Sequence, residues 1–447
     1  MNPSAAPPGT AHHEADVSAG RSPRRAWIVT LLLFAFMLIN FADKAVLGLA
    51  AGPIIHDLGL SESEYGLLNS AFYFLYSISA ILVGFLSTRV ATKWILLVMA
   101  LVWSLSMLPM IWPVGFAVLL ASRIVLGAAE GPANPIAMHA AHKWFPNEKR
   151  SVPSALLNVG AGFGVAVTAP LLTMVITIYG WRWAFVSLSV VGLVWILLWL
   201  LLGKEGSVAG TASTHEQQSA HDDIDEPRVP YRRILLSGTW LGAVVMAFVA
   251  YWALALLISW VPPYLQTVLG YSPSSAGALI VLPWVVNALL ILGQGVLSQR
   301  LMRRGVSSRL ARGALGGAAV MLSAIAMLLF PFITGWVQIA LITIAFSLGA
   351  IVLAIGSTVT GEISPTRQRG AVLSIYVAAA TSAGLLAPYI TGHVIEGAPT
   401  PGAGYTGAFI IAGVLMLLGG LLALLIVRPE RDRHRLGLGA ADPTAHP

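Results

Sequence analysis

The chain has 447 residues, 57% hydrophobic and 10% charged, with 26 Lys plus Arg, 19 Asp plus Glu and no Cys. A soluble domain carries roughly 25% charged residues, so this composition and a mean hydropathy of +0.80 exclude a soluble enzyme, a nucleic-acid binder and a disordered regulator. Without Cys there is no disulfide framework, thiol chemistry or Cys-based metal site.

Residues 1–25 are polar and lack an apolar core, so they are expected to form a tail ahead of an uncleaved first span. Apolar runs follow at 27–49, 65–88, 94–112, 116–139, 153–179 and 182–202. They resume at 238–261, 274–298, 310–333, 336–360, 370–393 and 404–427. Lipid offers no partner to a backbone amide, so each run is predicted to be a helix. Pro113 and Gly115 divide the third run from the fourth. The polar stretch 203–233 reads as a linker between bundles at 26–202 and 234–428, with a second tail at 429–447. The expected fold is an all-α membrane protein, twelve transmembrane helices in two pseudo-symmetric six-helix bundles.

Basic residues set the orientation. With both termini and every even-numbered connection on the cytoplasmic side, that side receives 23 of the 26 Lys plus Arg; the others are Lys44, Arg123 and Arg182. This asymmetry favours both ends inside and makes the basic charge topological, with no nucleic-acid role. The halves echo each other. Gly-x-Leu-Ser-x-Arg occurs at Gly84–Arg89 and Gly295–Arg300, Pro146 precedes Arg150 as Pro365 precedes Arg369, and Ala-Pro recurs at Ala169-Pro170 and Ala387-Pro388. The offsets of 211, 219 and 218 residues argue for a duplicated six-helix unit, the repeat logic of secondary transporters.

Charges inside a membrane are costly and usually face a cavity or one another. Within the predicted spans they are Asp43, Lys44, Arg123 and Glu130, with His139 near a helix end, all in the first half. Arg123 and Glu130 are two turns apart on one helix face, about 10 Å, and Gly127 between them leaves room for a ligand or another helix. Asp43 and Lys44 are adjacent and point in different directions. Two cations would suit an anionic ligand, and two carboxylates could gain and lose a proton, since burial penalises a charged carboxyl. The alternative is that these groups are structural ion pairs fixing helix packing. His139 and His142, ahead of Lys143 and Trp144, read as interfacial residues rather than a proton relay. Gly160 and Gly164 form a small-xxx-small face, and Pro170 removes a backbone hydrogen bond; both suit either motion or tight packing.

The stretch RIVLGAAEGPANPIAMHAAHKWFPNEKRS (123–151) resembles the fourth span and following loop of the major facilitator superfamily, and within it the anion:cation symporter family. NFADKAVLGLA (40–50), SAFYFLYS (70–77) and SWVPPYL (259–265) resemble that family's first, second and seventh spans. The resemblance implies two bundles rocking around a central site. It implies that Asp43 and Glu130 are proton-coupling carboxylates, that Arg123 is the anion-site arginine, that Lys44 stands where many members have arginine, and that Tyr76 is a cavity tyrosine. The superfamily's loop motif after the second span carries Asp and Gly where this chain has Ser87 and Ala91, leaving Gly84, Arg89 and Lys93 of that motif for gating or acidic-lipid contact. Sugar-acid carriers place amides in the fifth and eleventh spans where this chain has Ala161 and Val377; Asn158 is the nearest amide. The aromatic candidates Phe72, Tyr73, Tyr76, Trp252, Trp260 and Tyr376 suit a less hydroxylated or aromatic carboxylate, or else packing.

The expectation is therefore a monomeric secondary transporter of a bacterial cytoplasmic membrane, taking up a small organic anion with protons by alternating access. Its partners would be the anion, protons and membrane lipids, with no cofactor or metal. The alternative is a proton-coupled exporter of drugs or metabolites on the same fold. A membrane enzyme would need a nucleophile-base set or metal ligands at depth, and no HExxH or GxSxG occurs.

Overall fold

The structure, a computed structural model, describes residues 23–87, 89–146, 149–206 and 228–438. Most of the expected tail 1–25, the centre of the linker and the end of the second tail lie outside the described residues, as does the side chain of Ala161.

Twelve helices have the length and hydropathy to cross a membrane. They are α1 (Arg24–Leu49), α2 (Glu62–Leu86), α3 (Thr92–Ile111), α4 (Phe116–His142), α5 (Val152–Tyr179) and α6 (Trp181–Leu202), then α7 (Gly238–Ser259), α8 (Pro273–Arg303), α9 (Arg309–Phe332), α10 (Trp336–Glu362), α11 (Thr366–Glu396) and α12 (Pro401–Ile426). The third helix tightens into a 3-10 turn at Leu108–Ile111 before the chain leaves helical form around Pro113. Gly180 alone joins α5 to α6; its φ of 91° is open to glycine and costly for other residues. Short helices also form in both segments expected to be irregular, Tyr231–Leu235 and Pro429–Arg435.

Each half packs the same way. The pairs α1–α5, α1–α6, α3–α6, α2–α4, α3–α4 and α5–α6 recur six helices later as α7–α11, α7–α12, α9–α12, α8–α10, α9–α10 and α11–α12. The halves then meet through α2–α11, α5–α8 and α1–α7. Apolar side chains such as Leu82, Phe85, Leu201 and Trp336 remain exposed, as lipid contact allows.

The segment after the last helix of each half sends an acid back to the start of that half's third helix. Glu205 accepts from the Thr92 and Lys93 amides (3.2 and 2.9 Å), and Glu430 accepts from the Arg309 amide (3.2 Å). These free amide donors and the helix dipole favour an anion there. Burial works against ionised Glu205, but donors from Lys143, Lys93 and Thr92 outweigh it and hold its carboxyl below the usual range. Ser87, where the family's aspartate would stand, turns its hydroxyl to the Gly84 carbonyl, 2.7 Å.

The two ends of the bundle differ. At the end away from the chain termini, here the far end, the Tyr65 hydroxyl is within reach of the Leu47 and Ser259 carbonyls, 3.2 and 3.0 Å. There the Trp260 indole donates to the Pro388 carbonyl (3.0 Å), the Tyr389 amide to Ser70 (3.1 Å) and the Ser63 amide to Glu396 (3.0 Å). A Cβ at Gly48, Gly66 or Gly392 would stand 1.9, 2.5 or 2.3 Å from a carbonyl oxygen of the opposite half. At the terminal end, no neighbouring atom of the described residues lies within 4 Å of a Cβ built on Gly84, Gly293, Gly295 or Gly370. The close contacts between the halves named here lie at the far end, whereas those four glycines at the terminal end border open space.

Candidate functional site

The site begins with a close helix approach. A Cβ at Gly127 would lie 1.7 Å from the Phe72 carbonyl oxygen, and one at Gly131 2.0 Å from that of Tyr76. Of the two uses open to Gly127, the structure therefore shows the second: its missing side chain admits α2, not a ligand. Gly160 and Gly164 do the same between α5 and α1, facing Phe34 and the Leu38 carbonyl. The fifth helix runs unbroken through Pro170.

With α2 drawn against α4 and α1 alongside, the four intramembrane charges come together. Asp43, Lys44, Arg123 and Glu130 are 1%, 6%, 2% and 0% exposed. Lys44 Nζ lies 2.8 Å from Glu130 Oε2 and also donates to the Asn40 side-chain oxygen one turn earlier. Its ammonium stands 4.7 Å from the Phe41 ring centre and 5.7 and 5.8 Å from those of Phe72 and Tyr76, a cation–π setting. Arg123 and Glu130, on one face of α4, form no ion pair. Among the described residues neither carboxylate oxygen of Asp43 has a hydrogen-bond partner, and the same holds for Nε and Nη1 of Arg123. The Arg123 guanidinium lies 5.7 Å from the Phe72 ring centre.

A cavity of about 10 Å³, room for roughly one water, opens beside these groups between the halves. The first half contributes Lys44, Asn69, Phe72, Tyr73 and Arg123; the second contributes Ala255, Ile258, Ser259 and Pro388. Tyr73 packs over Gly384 and stands edge-on to Tyr251, centres 6.1 Å apart, so it touches both halves.

Other residues singled out from sequence lie elsewhere. Tyr76 sits beside Lys44 without lining this cavity. Trp252 is buried against Phe248, ring centres 6.1 Å apart. The Tyr376 hydroxyl points to the Leu353 carbonyl (3.5 Å) and fills the space left by Gly356, inside the second half. Asn158 is exposed and accepts from Asn134 at 3.5 Å, while Val377 is 45% exposed. Arg89 is exposed, and Lys93 lends its backbone amide to Glu205. Sequence reasoning missed Asn40, which holds Lys44, and Asn69, which is buried and donates to the Tyr65 carbonyl at 3.0 Å. Both were open to the rule that a polar side chain inside a span is expensive and needs a reason.

A model described as Major Facilitator Superfamily matches residues 32–355 and 306–445. The hexuronate transporter of Bacillus subtilis is 28% identical, over 90% of this chain and 94% of its own length. The probable sulfoacetate transporter of Cupriavidus necator is 28% identical, over 87% and 90%. The D-galactonate transporter of Escherichia coli O6:H1 is 24% identical, over 92% and 97%. Among solved structures, a bacterial homolog of the human lysosomal transporter Spinster superposes with a TM-score of 0.76 at 18% identity, covering 93% of this chain and 99% of that one. The D-xylose-proton symporter gives 0.72 at 17% identity, covering 91% and 99%. The chain belongs to the Major Facilitator Superfamily and is an integral, multi-pass membrane transporter, not an enzyme.

Proposed function

We propose that this transporter is a proton-coupled symporter that takes up a small organic anion across a bacterial cytoplasmic membrane, acting as a monomer with both termini inside. The observation that carries this reading is the buried Lys44–Glu130 pair beside an Asp43 carboxyl and the Nε and Nη1 of Arg123, which have no hydrogen-bond partner among the described residues. Leaving ionisable groups orphaned at that depth is costly, so a static frame explains them poorly and exchangeable occupants explain them well. An anion completes Arg123. A proton neutralises Asp43, and a second can displace Lys44 from Glu130 and free its ammonium for the anion. Relatives named as hexuronate, sulfoacetate and galactonate transporters support an organic-acid cargo.

In this reading the bundles 26–202 and 234–428 rock against each other, and the state seen here, with its close contacts at the far end, faces the cytoplasm. Gly84, Arg89 and Lys93 lie at that opening end. Coupling requires that the empty, deprotonated carrier reorients poorly, because it would carry unpaired charge through a closed state. The test is Glu130→Gln in proteoliposomes with an imposed proton gradient. Uphill accumulation should collapse to equilibrium while exchange of labelled for unlabelled substrate continues; uphill uptake at the wild-type level would overturn the assignment.

A further inference from the structure

Beyond the central site, α4 continues toward the open end into a second cavity of about 480 Å³, lined by Pro135, Met138, His139, His142, Lys143 and Arg150. Two of these six, Lys143 and Arg150, are cations and two are imidazoles, and no acid among the described residues lines the space. Each of these four side chains is held differently. Lys143 is paired with Glu205, which also caps α3, so its charge is spent locally. His142 Nε2 is fixed at 2.7 Å from the Ser154 hydroxyl of α5, leaving the other ring nitrogen available. Arg150 gives only its Nε, to the Phe145 carbonyl at 3.1 Å, and forms no ion pair among the described residues. His139 is exposed. Toward the centre lies the Asn134–Asn158 amide pair, and beyond it, on the same helix, Glu130 and Arg123. Sixteen residues of helix separate Arg123 from His139, roughly 24 Å at 1.5 Å per residue.

We propose that this cavity is a second anion station, one that holds the carboxylate of the transported acid on its way between Arg123 and the aqueous opening. The inference rests on the organic-anion reading above. A guanidinium with no ion pair among the described residues recognises a carboxylate in a planar, two-pronged fashion, and a neutral imidazole N–H adds a donor without a permanent charge. One strong site at Arg123 would release its anion slowly into a wide opening. A weaker cationic wall along the path gives the anion a place to step while the central groups re-pair.

The test uses the full-length protein in phosphatidylcholine nanodiscs. Diethyl pyrocarbonate modification of His139, His142 and the reference residue His56, at the far end, is followed by peptide mass spectrometry. Glucuronate, acetate and chloride are compared at matched ionic strength. Glucuronate and acetate should slow modification of His139 and His142 about threefold at twice their Kd and leave His56 unchanged. Arg150→Gln should remove the protection and Arg150→Lys should retain part of it, which separates lost charge from lost folding. No protection, equal protection by chloride, protection only when phosphatidylglycerol is added, or full protection in Arg150→Gln would each overturn the station. Uptake into proteoliposomes is read in parallel: absence of any organic-acid uptake defeats the transport reading alone, and uptake without protection defeats the station alone.

Discussion

The two halves share one helix arrangement and divide the chemistry unequally. The first half holds Asp43, Lys44, Arg123 and Glu130 within about two helix turns of the cavity, and the second half answers with Ala255, Ile258, Ser259 and Pro388. Its contribution to the far-end seal is largely backbone: the carbonyls of Ile258 and Pro388 receive close approaches from Gly48 and Gly66 of the first half, and that of Ser259 a hydrogen bond from Tyr65. A duplicated scaffold can thus keep its packing while one copy specialises in charge and the other in shape. Packing tolerates this because helix contacts depend on small residues and apolar surface, whereas buried charge is paid for wherever it is placed.

That division can be broken by experiment. The largest effect is expected at Lys44→Ala, which strands Glu130 without its cation. Removing one partner of a buried pair costs ~3–5 kcal/mol, visible as a lowered Tm, and Lys44→Ala/Glu130→Gln should recover most of it. Ser259→Ala, on the opposite cavity wall, loses a hydroxyl that donates to the Ala255 carbonyl at 2.7 Å and should cost about 1 kcal/mol. Equal losses at the two positions would erase the contrast.

Next comes Tyr65→Phe. It removes the hydroxyl shared by the Leu47 and Ser259 carbonyls, worth about 0.5–1.5 kcal/mol, from the far-end-closed state only. Spin-label distances across that end should shift toward the separated population by roughly tenfold at the upper limit, with little change in Tm. A fall in Tm without a distance change would make Tyr65 a plain packing residue.

The smallest effect concerns the acids that both halves use to cap their helices. Asp432 accepts from the Thr239 amide and hydroxyl at 2.8 and 2.7 Å. Burial opposes its charge, but the Arg431 and Thr239 donors prevail and lower its pKa, as at Glu205. A depressed folded-state pKa means stability that is present above the unfolded value and lost as pH falls through the folded one. Thermal stability should therefore decline in acid. Glu205→Gln should flatten only the first half's share, about 1 kcal/mol as for an ordinary N-cap.

Much of this was legible from residues alone. The twelve helices follow from apolar length, and the short helices at the end of the linker and in the second tail and the 3-10 end of α3 are details that length cannot show. Phe72 and Tyr73 were named among several aromatics of equal promise, and only these two of them line the cavity. Tyr376 and Trp252 share their composition and differ in neighbours, with Gly356 and Phe248 beside them. Asn69 was legible as a polar side chain inside a span, but its place in the cavity wall was not.

The sequence by itself determined which groups are forced into the membrane, since every charge within a span must be counted against the cost of lipid. It also determined the duplication, because matching motifs recur at nearly one offset. Only the tertiary structure decided that Lys44 and not Arg123 meets Glu130. Helical periodicity assigns a residue to a face of its own helix. Which other helix comes to that face depends on Gly127 and Gly131 letting α2 reach the backbone of α4, a contact between segments some fifty residues apart that no local pattern encodes.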